Sequence, residues 1–202
     1  MKNRFLFGFT LLLSVTSSFV AAAPITSIAD PALNGSTLID FEGIVPTSYA
    51  SLALAGVTIT GNGIPLTICS GCGGGGGGFG DVGQSLNNNL ASDFDFVFDN
   101  VVSAFGIMGG AVNGPWTYTA YDIFDNVLET LNLDDSCCAG IFNGISVNNI
   151  KRVNLDSTGD WVVFDNLRFV NQDQGSVPEP ATLLILSLGL AGLGFSRRAA
   201  KN

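Results

Sequence analysis

Asp93-Phe94-Asp95-Phe96-Val97-Phe98-Asp99 alternates without a break. At a side-chain period of two, the stretch sets three phenylalanines on one face of a strand and the aspartates, with Val97, on the other. One face is core and the other meets water. Outward from it, β-rich runs recur between Gly, Asn and Asp: Thr37 to Phe41, Gly56 to Thr60, Pro65 to Ile68, Phe94 to Phe98, Val101 to Met108, Trp116 to Tyr121, Val127 to Leu133, Ile150 to Leu155 and Trp161 to Val170. No run carries a helical period of useful length. A parallel sheet would need crossover helices that the chain does not offer, so the pattern predicts an all-β fold, an antiparallel β-sandwich of jelly-roll or related topology.

Composition narrows the chemistry. The chain has 202 residues and no histidine, which excludes the serine-histidine triad, histidine-ligated zinc and any imidazole acid or base. Residues 24–177 carry 16 acidic side chains against Lys151, Arg152 and Arg168, a net charge of −13. Such a surface repels nucleic acid and anionic lipid. Only Glu42 and Glu129 are glutamates in that span. The acid pairs Asp93/Asp95 and Asp134/Asp135 could be catalytic only if one member were buried across a cleft from the other. A wet strand face and a turn do not provide that, so they read as solvated acids, no catalytic residue is assigned, and the chain reads as a non-enzyme.

The two ends are addresses. Lys2 and Arg4 precede an apolar run from Phe5 to Val20 that closes on Ala21, Ala22 and Ala23 before Pro24, so residues 1–23 read as a signal peptide, with cleavage after Ala22 favoured over Ala23. The Sec translocon and signal peptidase are its expected partners. Residues 24–172 form the exported domain and 173–177 a linker. In 178–202, Pro178-Glu179-Pro180 is followed by the uncharged run 181–195 and then by Arg197, Arg198 and Lys201. As a helix, fifteen residues at about 1.5 Å each span roughly 22 Å, less than a hydrocarbon core of about 30 Å. This transmembrane helix would cross only with local thinning or snorkelling. The basic tail belongs on the cytoplasmic side, which places the acidic domain outside, as the signal peptide also requires.

Val177-Pro178-Glu179-Pro180, the short apolar segment and the Arg-Arg tail resemble the PEP-CTERM sorting signal, which is also classed as an ice-binding protein C-terminal domain. The resemblance implies a Gram-negative bacterium whose exosortase, a membrane cysteine peptidase, recognises and removes the tail. The protein would be anchored transiently in the inner membrane and then passed to the cell surface or extracellular matrix. Members often accompany exopolysaccharide production, which makes exopolysaccharide or biofilm matrix an expected associate. Pro178, Glu179, Pro180, Arg197 and Arg198 are then the sorting residues. Ice binding is not expected of the domain, which lacks a regular Thr-x-Thr ladder. Ile39-Asp40-Phe41-Glu42, Gly56-Val57-Thr58-Ile59 and Phe164-Asp165-Asn166-Leu167-Arg168-Phe169 are similar to the opening, middle and closing strands of exported domains joined to this tail. They also resemble galactose-binding-like sandwiches and carbohydrate-binding modules.

Three further features bear on sites. In the last run, a period of two sets Asp165 among Trp161, Val163, Leu167 and Phe169, where a bare carboxylate is expensive. With so few cationic side chains, Ca²⁺ is a candidate compensator, with Glu42 as second ligand. The sandwiches resembled here often carry a structural calcium between first and last strands. The other reading has Asp165 bonded to local backbone N–H groups and Glu42 solvated. Cys69, Cys72, Cys137 and Cys138 are expected as disulfides in an exported protein. Cross-links between the two pairs are preferred, because each closes about 65 residues. A four-cysteine zinc site or a thioredoxin-like motif fits the spacing poorly. The six glycines 73–78 lack the Lys-Ser/Thr of a phosphate cradle. Trp116, Tyr118, Tyr121 and Trp161 read as core or, alternatively, as a sugar-stacking platform for a carbohydrate-binding module.

Overall fold

The computed structural model describes residues 23–72, 83–87, 93–110, 114–135, 140–157 and 162–172. Residues 1–22 of the expected signal peptide, the six-glycine run, Cys137, Cys138, Trp161 and the tail from 173 onward, with the segment 181–195, lie outside the described residues, as do the side chains of Asp134 and Asp135. Among the described residues no helix is long and apolar enough to cross a membrane.

Among the described residues twelve strands run in order: β1 (Ala23–Ile25), β2 (Thr37–Ile39), β3 (Ser48–Tyr49), β4 (Ser51–Leu54), β5 (Val57–Thr60), β6 (Leu66–Ser70), β7 (Gln84–Asn87), β8 (Asp93–Gly110), β9 (Gly114–Tyr121), β10 (Val127–Asp135), β11 (Ile141–Ser157) and β12 (Val163–Asn171). A 3-10 turn, Pro31–Leu33, is capped by the Asp30 carboxylate. All pairings are antiparallel. The fold is all-β, as the alternation predicts.

The sequence reading splits β8 into two strands at Asp99-Asn100. The structure corrects this: β8 is continuous over Asp93–Gly110 and bends instead of stopping. Phe96 and Phe105 lie on this one strand, nine residues apart, yet their ring centroids are 5.3 Å from each other. A straight strand would separate them by roughly 30 Å. The first half of β8 must therefore fold over the second. β11 follows the same path, with register shifts against β8 between Ser146 and Arg152 and a left-handed residue at Asn149 (φ 69°). The Lys151 ammonium donates to the bend carbonyls of Phe98 (2.5 Å) and Asp99 (2.8 Å). Two long strands shared by both layers make one hydrogen-bonded sheet close into a sandwich.

Between the layers lies the main core. Phe94, Phe96 and Phe98 are buried as their spacing predicts, and they meet Phe164 (5.1 Å, edge-on) and Phe169 (5.1 Å) of β12 across the interior. Each buried phenylalanine contributes about 2–3 kcal/mol, before any ring-pair term. A second cluster lies on the outer side of β8 and β11, where Ile25 and Leu33 of the N-terminal segment cover Ala104 and Phe142. The sequence reading missed β1, β3, β4, β7 and the first half of β11.

Candidate functional site

Asp165 lies where β12 breaks step. Phe164 and Leu167 both enter the main core. Residues three apart cannot do this in a strand of strict alternation. The ladder with β8 slips between Asp165 and Arg168, and Asn166 takes a left-handed conformation (φ 49°) that asparagine tolerates. This corrects the period-two reading: Asp165 belongs to a bulge instead of interrupting the core face with Leu167 and Phe169. It is nonetheless 1% exposed, and its Oδ1 accepts from the Asn166 N–H at 2.6 Å. The local backbone contact of the second reading is thus present.

Along one edge of β12, β2 pairs with residues 167–169 and β7 with residues 163–164, so the bulge falls in the gap between them. The chain leaves β2 through Phe41, itself left-handed (φ 57°), and reaches Glu42. The exposed Glu42 Oε1 accepts from the Gln84 N–H at 2.8 Å, which ties the end of the opening strand to the start of β7. The register that sets Leu86 opposite Phe164 carries Ser85 to the level of Asp165. Ser85 Oγ and Gln84 Oε1 are buried with no hydrogen-bond partner. The bulge thus sets the Asp165 carboxylate level with the Ser85 hydroxyl, while Glu42 is tied to the backbone of the preceding residue; carboxylate and hydroxyl oxygens are hard donors of the kind Ca²⁺ takes. No group of three His, Cys, Asp or Glu side chains with metal-holding geometry occurs among the described residues. Gln84 and Ser85 were not legible as site residues: without β-branched neighbours or alternation, the β7 strand gives no signal.

A second arrangement occupies the outer face of β5, β8, β11, β9 and β10. Asp93 accepts from Asn62 (2.6 Å) and from Asn154; Asp95 accepts from Arg152 (2.8 Å) and Asn154 (3.1 Å). Arg152 also reaches Asp125 at 3.1 Å and covers the Tyr121 ring at 3.8 Å from its centroid. Burial alone works against its charge, but hydrogen bonds and Coulombic attraction from Asp95 and Asp125 outweigh that and raise the guanidinium pKa. Asp93 and Asp95 are therefore surface acids held by protein donors. Trp116 and Tyr118 are only 2% and 3% exposed and belong to the core, and Tyr121 lies under Arg152, so none of the three forms an open stacking platform.

The disulfide also differs from expectation. Cys69 is bonded to Cys72, with Cα atoms 5.8 Å apart, instead of to a cysteine about 65 residues away. Gly71, at φ 74°, turns the chain tightly enough to bring the two together, and its N–H donates to Gly83 O at 2.7 Å. The bridge thus sits at the base of the β6–β7 connection.

Fold and charge together define an acidic, antiparallel β-sandwich domain that binds its last strand into the centre of the sheet. Beyond that strand, residues 176–198 match the PEP-CTERM protein-sorting motif. The chain carries that motif, which implies exosortase processing, export and sorting to the cell envelope or surface. No curated protein matches the chain. Among solved structures, the enzymatically active domain of bacteriophage CBA120 tailspike protein 4 is 12% identical, with a TM-score of 0.34, over 65% of this chain and 20% of that one. Arabinose-bound MgGH51 α-L-arabinofuranosidase is 12% identical, TM-score 0.36, over 67% and 26%. The CBM22-1–GH10 modules of Clostridium thermocellum xylanase 10B, complexed with xylohexaose, are 9% identical, TM-score 0.36, over 68% and 30%. The chain spans less than a third of each of these proteins, and at such scores the likenesses carry no argument about function.

Proposed function

We propose that this is a non-enzymatic surface or extracellular-matrix protein of a Gram-negative bacterium, associated with exopolysaccharide or biofilm matrix. In this reading residues 1–23 direct export, the apolar segment 181–195 holds the precursor in the inner membrane, and exosortase removes the tail. The observation that supports it is the sorting motif at 176–198, beginning four residues after Gln172, the last residue described. Mass spectrometry of the surface form, from cells with and without exosortase, tests it. Loss of Arg197 and Arg198 only in the cells with the peptidase is expected. A surface form that retains both arginines in those cells refutes the sorting route.

A second reading makes the same sandwich a carbohydrate-binding module. The outer face supports it, because Asp93, Asp95, Asn154 and Arg152 hold a fixed array of donors and acceptors of the kind that orients hydroxylated ligands. Retention on a column of the cell's own exopolysaccharide, lost in Asn154→Ala, separates this from a purely structural role. We also propose that Asp165 and Glu42, with Ser85, hold a structural Ca²⁺, whose charge would offset the buried carboxylate and whose coordination would use the unpartnered Ser85 Oγ. It would join the opening and closing strands and supply no reactive chemistry.

A further inference from the structure

The hairpin between β9 and β10 presents large apolar side chains to solvent. Ile123 is 60% exposed, Phe124 78% and Val127 60%. The turn that carries them is firmly built. The Asp122 carboxylate accepts from the N–H groups of Phe124 (2.8 Å) and Asn126 (2.9 Å) and from the Asn126 amide (3.0 Å). The Asp122 N–H closes the loop on Asn126 O at 3.0 Å. Polar residues brace the turn while its apolar ones point outward, and burial among the described residues does not account for them.

The position of the tip in the fold suggests what covers it. At the end of β12, the Gln172 N–H donates to Val101 O (3.0 Å) and its side-chain oxygen accepts from the Asn149 N–H (2.8 Å). Three residues along β11, Arg152 holds the tip through Asp125, at 3.1 and 3.3 Å. Those three residues span about 10 Å. The chain's exit and the apolar tip therefore share the bent end of the sandwich. Residues 173–180 then provide at most about 28 Å of extended chain before the apolar segment 181–195.

We infer that, in the membrane-tethered precursor, Ile123, Phe124 and Val127 dock into the interfacial region of the bilayer that holds the tail. The inference rests on the reading of 181–195 as a membrane anchor. Charge at this end is mixed: Asp122, Asp125 and Asp99 lie near Lys151 and Arg152, with Asp125 paired to Arg152. A zwitterionic surface therefore suits the tip better than the anionic surface that the domain as a whole repels. Release of the tail would leave three side chains, too little apolar area for durable attachment, so docking would end with processing.

Full-length chain reconstituted into phosphatidylcholine–phosphatidylethanolamine vesicles tests this, with the photo-crosslinking residue benzoylphenylalanine at position 124 or, as control, at Val45, which is 68% exposed on another loop. Flotation reports anchoring and cross-linking reports docking. Lipid labelling from position 124 at about ten times the level from position 45 is expected in vesicles that carry the chain. Equal labelling from both positions in floating vesicles overturns the inference while leaving the anchor intact. Capture of a second copy of the chain in place of lipid overturns it too. Failure to float removes the anchor and the docking together.

Discussion

A methyl group at Gly144 should loosen the sandwich where two of its central strands leave no room for one. Gly144 lies opposite Gly106 in the β8–β11 ladder. A Cβ there would meet Phe105 O at 2.1 Å, the Gly106 Cα at 2.7 Å and Phe105 C at 3.0 Å. All three are backbone atoms of the central strand, so no rotamer change relieves the contact. The ladder would have to open by about 1 Å, a displacement that overpacking series place at about 1–3 kcal/mol, and the rigid obstacle argues for the upper end. Gly114 is the control, because a Cβ there meets nothing within 4 Å. For a chain of this size, about 3 kcal/mol lowers Tm by roughly 6–12 °C. Gly144→Ala should therefore melt well below the parent by calorimetry, while Gly114→Ala stays within about 0.5 kcal/mol of it. Gly106→Ala should cost less than Gly144→Ala, since its methyl meets the Phe142 ring at 2.6 Å and that ring can shift. Equal melting of Gly144→Ala and Gly114→Ala would refute the close approach of β8 and β11 at this pair.

Replacing Cys69 and Cys72 together by serine should cost no more than about 2 kcal/mol, the entropy of so short a closed loop, against about 4 kcal/mol for a bridge of some 65 residues. A loss of the larger size in urea denaturation, or a non-reduced peptide joining Cys69 to Cys137 or Cys138, refutes the local pairing. The hydrogen bond from the Asn126 side chain lowers the Asp122 pKa, desolvation works against it, and the backbone N–H groups of Asn126 and Phe124 lower it further. Because the folded value is depressed, the hairpin's stabilisation holds above the ordinary aspartate range and is lost as pH falls through the folded value. Carbon NMR titration should give a lower midpoint for Asp122 in the parent than in Asn126→Ala, and equal midpoints would refute the assignment. Addition of Ca²⁺ should raise the Tm of the exported protein, and Asp165→Asn should abolish the rise. An equal rise in both would refute the cation site.

Much of the interior was legible because it obeys a single rule. Phe94, Phe96 and Phe98 announce their face by strict alternation, and the burial of all three follows. The rule fails where one side chain is exchanged for something the backbone needs. Asn143-Gly144 falls outside the runs that the sequence marks as β, yet Gly144 sits mid-strand in β11, where only hydrogen fits against Phe105 O. Asp99-Asn100 also reads as a turn, but Lys151 satisfies the carbonyls and the strand carries on around the bend. Asp165 could be singled out from sequence as an acid in apolar company, though its face was misjudged because a bulge adds a residue that periodicity does not count. Its neighbours Gln84 and Ser85 lie far along the chain from both Glu42 and Asp165. Only the pairing of β7 with β12 brings them there, and pairing over that distance leaves no mark on either segment alone.

Removal of the tail and integrity of the domain can be independent because of where β12 lies. A last strand at a sheet edge would be peeled by any pull on the chain beyond it. Here β12 has β8 along one side and β2 with β7 along the other, and its Leu167 and Phe169 are fully buried. Its final residues are fastened again, Asn171 opposite Val102 and Gln172 to Val101 and Asn149. Tension from a membrane segment would therefore load several ladders at once, in shear, before it reached the core. A peptidase acting at the sorting motif works past the last of these contacts, and the cut leaves each of them in place.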